Sequence, residues 1–268
     1  MTVDIDELMR TAVRAATYGA EVAMKWQGRG AERAVRQKSG PRDLVSRADL
    51  ETESAIRDVL GNLRPDDSIS GEEQTPVAGS SGIRWLIDPI DGTTSYVYGR
   101  CGWAVSVAAV DGSDRVLAGV VAEPAHDRLS VAGAGRGAWA GDEPLAVRRC
   151  EDLANALVEI NFGRPDQHPN AGAMVDSLVP HVRDVRRSGS AAAALTDVAS
   201  GRADAVWGPG LQPWDGTAGL LLVREAGGQV GDLGGPTDDR WPTSGDVLAA
   251  SPALWSLLRD LLAAAYGS

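Results

Sequence analysis

A change of texture near residue 150 limits the fold of this chain more than any other feature of its sequence. Upstream, apolar runs that suit strands follow one another with only short links: "RWLIDP" from 84, "WAVSVAAV" from 103 and "VLAGVVAEP" from 116. The link Asp111-Gly112-Ser113-Asp114 is a hairpin signal. "RLSVAGAG", "GAWAG" and "LAVRR" extend the series as short strands, so this part reads as an antiparallel meander. Downstream, strand and helix patterns alternate: strand "ALVEI", helix 171–180, strand 182–187, a small-residue helix 190–200, strand "ADAVWG", helix 215–226, strands "GQVGDL" and "VLAAS", and a closing helix that Ser251 would cap. Such alternation marks an α/β half.

Two helices precede the meander. Apolar residues at helical spacing predict one over 4–26, with Asp4 or Asp6 as its cap, and a second from Ser46 to Leu60. Residues 28–43 fit a hairpin or mobile loop, and Ser68–Ser70 a short strand. The expected fold is therefore an α+β N-terminal lobe over 1–148 fused to an α/β lobe over 149–268. A chain of 268 residues buries enough surface to need no disulfides.

The formal net charge of −11 lacks the basic footprint of a nucleic-acid binder. It does not exclude an anionic substrate, because a bound cation inverts the local field. Cys101 and Cys150 have no metal-type spacing and suggest a reducing compartment. No apolar run approaches the ~20 residues of a membrane span, and the N-terminus does not read as a signal peptide. A cytoplasmic location, with neither nucleic acid nor membrane as partner, is the expectation.

The stretch "WLIDPIDGTT" raises the chemical question. The pattern predicts an apolar strand that ends at Asp88, where Pro89 breaks the ladder, and Asp91 follows three positions on. A turn that brought both carboxylates to one side, ~4 Å apart, would set up a repulsion of about 4 kcal/mol at an effective dielectric near 20. A hard cation (Mg²⁺, Mn²⁺ or Ca²⁺) would remove that cost; the plainer reading is a polar turn. Glu72-Glu73 in "SGEEQ" is a second acidic pair, or simply solvated surface. Asp215 in "PWDGTAG" is either a helix N-cap or a third ligand. Asp49, in "KSGPRDLVSRAD" with Lys38 and Asp43, fits the first turn of the second helix.

Taken in order, "GEE", "WLIDPIDGTT", "GSAA" and "PWDGTAG…EAGG" resemble the inositol monophosphatase family from about Lys38 to Gly228 and beyond. The resemblance implies a layered αβαβα architecture and a Mg²⁺-dependent phosphomonoesterase holding two to three ions, with Mn²⁺ as a substitute. It implies metal carboxylates at Glu72, Asp88, Asp91 and Asp215, and a metal-bound carbonyl at Ile90. Gly92 and Thr93 would hold the phosphate, with Asp91 and Asp215 also beside the substrate. Thr93 and Glu72 would orient the attacking water. Lys38, Asp43, Asp49 and Glu73 would form the outer network, and Gly189, Ser190 and Ala191 would face the leaving alcohol. A homodimer, lithium sensitivity and a small phosphorylated metabolite are further implications. The Ala-rich segment 191–199 could pack against a partner subunit.

Two departures matter. "SYVYG" replaces the commoner Asn-Phe-Val-His-Gly, so Tyr96 and Tyr98 could alter the wall beside the metals or merely vary the packing. Gly208 stands six residues before Trp214, where inositol-preferring relatives carry a glutamate that binds a substrate hydroxyl. The leaving alcohol is thus open: inositol-like, histidinol-like, or a 3′-phosphoadenosine 5′-phosphate or fructose bisphosphate, with Arg164, Arg186 and Arg187 as cationic candidates for the last two. A non-catalytic regulator is the remaining alternative. The haloacid-dehalogenase motif Asp-x-Asp-Gly fails because two residues separate Asp88 from Asp91. His126, His168 and His181 lie outside every motif.

Overall fold

A computed structural model describes residues 3–27, 35–37, 44–162 and 171–266. Lys38, Asp43, Arg164, His168 and most of the 28–43 segment lie outside the described residues. Helices α1 (Ile5–Gln27) and α2 (Arg47–Leu63) come first, joined through a short antiparallel pair, β1 (Val35–Gln37) with β2 (Leu44–Ser46). The Glu7 amide donates to Asp4 Oδ1 at 3.1 Å, so Asp4 caps α1 as expected.

Seven strands form the first sheet in chain order: β3 (Ser68–Gly71), β4 (Arg84–Asp91), β5 (Ala104–Val110), β6 (Val116–Glu123), β7 (Arg128–Gly133), β8 (Gly137–Ala140) and β9 (Glu143–Pro144). All neighbours pair antiparallel except β3 with β4, which is parallel. A five-residue helix, α3 (Thr93–Val97), interrupts the series and was not foreseen. "LAVRR" is not a strand. Its Leu145 amide bonds to Ala138 and its Val147 amide crosses to Ala226, so the segment leaves the sheet to reach the C-terminal half.

The second sheet contains β10 (Leu157–Ile160), β11 (Asp184–Arg186), β12 (Ala205–Gly208), β13 (Gln229–Asp232), β14 (Gly235–Pro236) and β15 (Val247–Ala250), in spatial order β11-β10-β12-β15-β13-β14. Its helices are α4 (Ala171–Leu178), α5 (Ala191–Ala199), α6 (Pro213–Glu225) and α7 (Pro252–Tyr266). The Ser251 hydroxyl donates to the Cys150 carbonyl, tying the start of α7 to the segment that precedes β10.

Strand alternation sorts the side chains into layers. On the first sheet, Trp85, Ile87, Val105 and Val107 share a cluster with Leu8, Ala12, Ile56 and Leu60 of α1 and α2. The opposite face, with Leu86, Ala104 and Ala108, meets α5 and α6. Those two helices also touch the second sheet through Val206, Val247 and Ala249. That sheet's outer face, with Trp207 and Leu248, packs on Met174 and Leu178 of α4 and Leu254 and Leu258 of α7. The result is an αβαβα sandwich. Both faces of each sheet are covered, which explains why "AVSVAAV" is buried at every position and does not alternate apolar with polar.

The middle layer also explains the abundance of Ala and Gly. A Cβ on Gly219 would stand 2.5 Å from Leu195 Cβ, so α5 and α6 approach almost backbone to backbone. Ala191–Ala194 are buried in this layer, so the Ala-rich helix packs inside its own chain and is not the partner-facing surface anticipated for it. Among the described residues no helix is long and apolar enough to cross a membrane.

Candidate active site

The ladder of β4 does not stop at Asp88. Asp88 pairs with Ser106 and Asp91 with Ala104, so Pro89 and Ile90 together oppose the single residue Val105. This is a β-bulge, and it decides the site. In a regular strand, residues three apart point to opposite faces. The extra residue resets the alternation, and Asp88 and Asp91 come to lie on the face shared by Ser106 and Ala104, toward α5 and α6. Pro89 is tolerated because β3 has ended there. Gly71 pairs with Ile87, and the Glu72 amide makes the last bond, 3.3 Å to the Ile87 carbonyl. The same parallel pairing delivers Glu72 beside the start of the bulge.

Each acid has a local anchor. Asp88, 1% exposed, accepts the Ile90 amide on Oδ1 at 3.0 Å. Asp91, 9% exposed, accepts the Ser190 hydroxyl and the Ala192 amide on Oδ2, both at 2.7 Å. Ser190 is the N-cap of α5 and receives the Ala193 amide at 3.0 Å. Asp91 is thus seated on the positive end of α5. Ser190 and Ala191 are buried at this seat, where they hold Asp91. The N-cap of α6 is Gln212, not Asp215. Asp215 is the third residue of the helix, and its Oδ2 accepts the Gln212 amide at 2.8 Å. Ser106 fixes that helix from the sheet, donating to the Trp214 carbonyl at 3.0 Å. Asp49 lies in the first turn of α2, as its position suggested, and is 1% exposed.

Gly92 has φ of +91°, and a Cβ there would lie 2.6 Å from the Gly102 carbonyl oxygen and 3.2 Å from that of Gly189. Only glycine makes that turn at such close quarters. It lets α3 begin at once with Thr93, whose hydroxyl reaches the Ile90 carbonyl at 3.2 Å and Asp49 Oδ1 at 3.4 Å.

The charges converge. Burial, and then the like charges of Glu72, Asp91, Asp215 and Asp49 in that order, push the Asp88 carboxyl well above the usual range. Burial also raises Asp91 to about 7, against the lowering effect of the Ser190 and Ala192 hydrogen bonds. Asp88 therefore feels four other carboxylates, which come from β4 itself, α2, α6 and the residue after β3. Among the described residues no three acids, imidazoles or thiols already stand as a ready metal shell. The fit to a cation rests on donor chemistry and charge: all candidate donors are hard oxygens, and the like-charge repulsion on Asp88 is what a divalent ion relieves.

Other sequence expectations fall away from this centre. Tyr96 is fully buried in the first core layer, with its hydroxyl on the Ala23 carbonyl at 2.7 Å, and Tyr98 is 75% exposed, so the first is a packing residue. Arg186 pairs with Asp184, and Arg187 stacks over Phe162. A cavity of about 650 Å³ lined by Arg84, Leu86, Leu211, Gln212 and Trp241 contains none of the five acids. Two supports escaped the sequence reading. Glu159, on β10, accepts the Ser188 amide at 3.2 Å and so steadies the turn into Ser190. Glu53, on α2, is fully buried against the Glu72 loop.

The Asp91 seat makes a prediction. Ser190→Ala removes both a hydroxyl from Asp91 and the cap of α5. A stability loss of about 1 kcal/mol is expected in urea titration, with catalytic efficiency falling about 10- to 100-fold in phosphate release, as for other supports behind a ligand.

Known proteins share this fold. The model of the inositol monophosphatase family matches residues 4–267. An inositol-1-monophosphatase of Mycobacterium leprae is 41% identical over 254 residues, covering 90% of this chain and 84% of the relative. A Pasteurella multocida protein named Nus factor SuhB is 36% identical over 253 residues, with 93% of each chain covered. The crystal structure of the extragenic suppressor protein SuhB from Bartonella henselae superposes with a TM-score of 0.88 at 31% identity, over 95% of this chain and 98% of the other. The chain belongs to the inositol monophosphatase family, whose activity is phosphoric monoester hydrolysis.

Proposed function

We propose that this protein is a cytoplasmic, homodimeric, Mg²⁺-dependent phosphomonoesterase that acts on a small polyol or sugar phosphate. The observation that carries the reading is the bulge at Pro89-Ile90, which turns Asp88 and Asp91 to one face and toward Glu72, Asp215 and Asp49. Glu72, Asp88, Asp91, Asp215 and the Ile90 carbonyl would hold Mg²⁺, or Mn²⁺ in its place. When bound, such ions lower the pKa of water and neutralise charge on the phosphate and the departing oxygen.

The chain's own groups do the rest. The Thr93 hydroxyl proton is committed to the Ile90 carbonyl and Asp49, so its oxygen remains an acceptor that can orient a water O–H together with Glu72. The amides of Gly92 and Thr93 lie at the start of α3, where a phosphate oxygen would be received. The bonds from Ser190 and Ala192 favour the anion of Asp91 against its burial and hold the side chain in place. No serine or cysteine nucleophile is required.

The alcohol side is apolar where inositol-preferring relatives are acidic. A Cβ on Gly208 would stand 2.7 Å from Leu211 Cδ1, so a buried leucine occupies the neighbourhood of the missing glutamate. A site that lacks a hydrogen-bonding partner for a substrate hydroxyl discriminates weakly between alcohols. Arg186 and Arg187 are engaged elsewhere, which disfavours the bisphosphate and nucleotide substrates. The names of the SuhB relatives raise the alternative of a regulator without catalysis, but a regulator has no use for buried aspartates at 88 and 91 set against the like charges of neighbouring acids.

The test is phosphate release with Mg²⁺ from a panel: inositol 1-phosphate, glycerol phosphates, histidinol phosphate, fructose 1,6-bisphosphate and 3′-phosphoadenosine 5′-phosphate. Turnover of several small monoesters within about tenfold of one another is expected, since an apolar wall does little to tell one alcohol from another. No turnover of any member with Mg²⁺ or Mn²⁺ would overturn the proposal.

A further inference from the structure

The loop that presents Glu72 is held from behind by a buried pair that takes no part in the site described above. Glu53 is fully buried in the middle of α2. Its Oε2 accepts the Glu73 amide at 2.7 Å and its Oε1 the Gln74 amide at 3.1 Å. Arg57, one turn later, donates through Nε to Glu53 Oε1 at 2.8 Å. The other end of the same guanidinium donates to the carbonyls of Gln74 at 3.1 Å and Thr75 at 3.2 Å. Together the two side chains bond both the amides and the carbonyls of consecutive loop residues.

Gly71 shows how closely the carboxylate is pressed against this loop. A Cβ there would lie 2.5 Å from Glu53 Oε1, so the position is kept clear for the acid. A glutamate in a helix ordinarily points to water, and burying its charge is costly unless it is paired and hydrogen-bonded. Here every bond that compensates the burial is made to Arg57 or to the two residues that follow Glu72. On its other side, Glu72 is held by its amide on the Ile87 carbonyl. The Glu72 carboxylate is therefore carried on a backbone pinned at two places, one in the sheet and one by α2.

We propose that Glu53 and Arg57 are positioning residues that set the Glu72 carboxylate for its divalent ion. The inference rests on the reading of Glu72 as a metal ligand. Because Glu53 acts through the loop, its loss should weaken cation binding while leaving the remaining ligands able to work once the ion is driven on.

Glu53→Gln tests this, with Glu72→Gln as the companion. In Glu53→Gln, Mn²⁺ affinity measured by electron paramagnetic resonance titration is expected to fall about tenfold, the size seen for supports behind a ligand. Amide exchange at Glu73 and Gln74 should quicken, with the rest of α2 unchanged. Turnover should recover to within about threefold of the parent at saturating Mg²⁺, which a merely misfolded fraction would not do. Arg57→Gln removes the two carbonyl bonds together with the ion pair to Glu53 and should give the same pattern, and it serves if Glu53→Gln does not fold. Parent-like Mn²⁺ affinity in a folded Glu53→Gln or Arg57→Gln protein, alongside weakened binding in Glu72→Gln, overturns the positioning role and leaves Glu72 as ligand. Parent-like affinity in Glu72→Gln removes the ligand reading itself, and this inference with it.

Discussion

Asp91→Asn is expected to give a folded protein with no more than about one-thousandth of the parent's turnover at saturating Mg²⁺, a loss of ~4 kcal/mol of charge stabilisation in the transition state. The fold should persist because the two bonds that seat the side chain both land on one oxygen, Oδ2. An asparagine oxygen accepts the Ser190 hydroxyl and the Ala192 amide in the same way, so α5 keeps its start. What disappears is the anionic charge, which in the proposed mechanism holds a cation against the phosphate. Phosphate release, far-ultraviolet circular dichroism and a Mn²⁺ titration on one preparation decide the matter. Turnover equal to the parent's would place Asp91 outside the chemistry.

The second large effect has the opposite sign for stability. Asp88→Asn should abolish activity and yet stabilise the protein when metal is chelated. Asp88 is buried, and its charge is opposed by Glu72, Asp91, Asp215 and Asp49. Asparagine retains an oxygen for the Ile90 amide while removing the charge. The pH dependence follows from linkage. Asp88 and Asp91 have folded-state pKa values raised above their unfolded values, Asp91 to about 7. The metal-free folded state therefore binds protons more tightly than the unfolded chain. Its stability is fullest below the ordinary carboxylate range and falls as pH rises toward 7. At pH 7.5 in chelator, Asp88→Asn should melt at least ~2 °C above the parent, corresponding to about 1 kcal/mol for a chain of this size. Below about pH 3 the two should coincide, because the parent's acid is then neutral in both the folded and the unfolded chain. Adding Mg²⁺ at pH 7.5 should raise the parent and not the variant. A variant that melts below the parent in chelator at pH 7.5 would show that the acids do not repel as described.

Much of this was legible along the chain. The helices over 5–27, 47–63 and 252–266 and the core strands follow from periodicity. The acids that would matter stood out by their motifs. Three features did not. Pro89 announced an interruption, but a proline after an aspartate reads as the end of a strand, and only pairing with β5 shows that the ladder resumes at Asp91. Asp215 looked like a cap because it opens an apolar run, whereas Pro213 starts the helix two residues earlier. Glu53 and Arg57 have the spacing of an ordinary surface pair, and nothing local marks them as buried.

The sequence by itself determined the elements and the chemistry on offer: hard oxygen donors, a glycine for a left-handed turn, and small residues for a thin middle layer. Hydrophobic period and turn chemistry act over a few residues, so they can be read in order. Only the tertiary structure decided which of those groups meet. Facing depends on a single-residue bulge, and meeting depends on contacts across dozens of residues. Both are fixed by pairing and packing with distant segments, which no local pattern records.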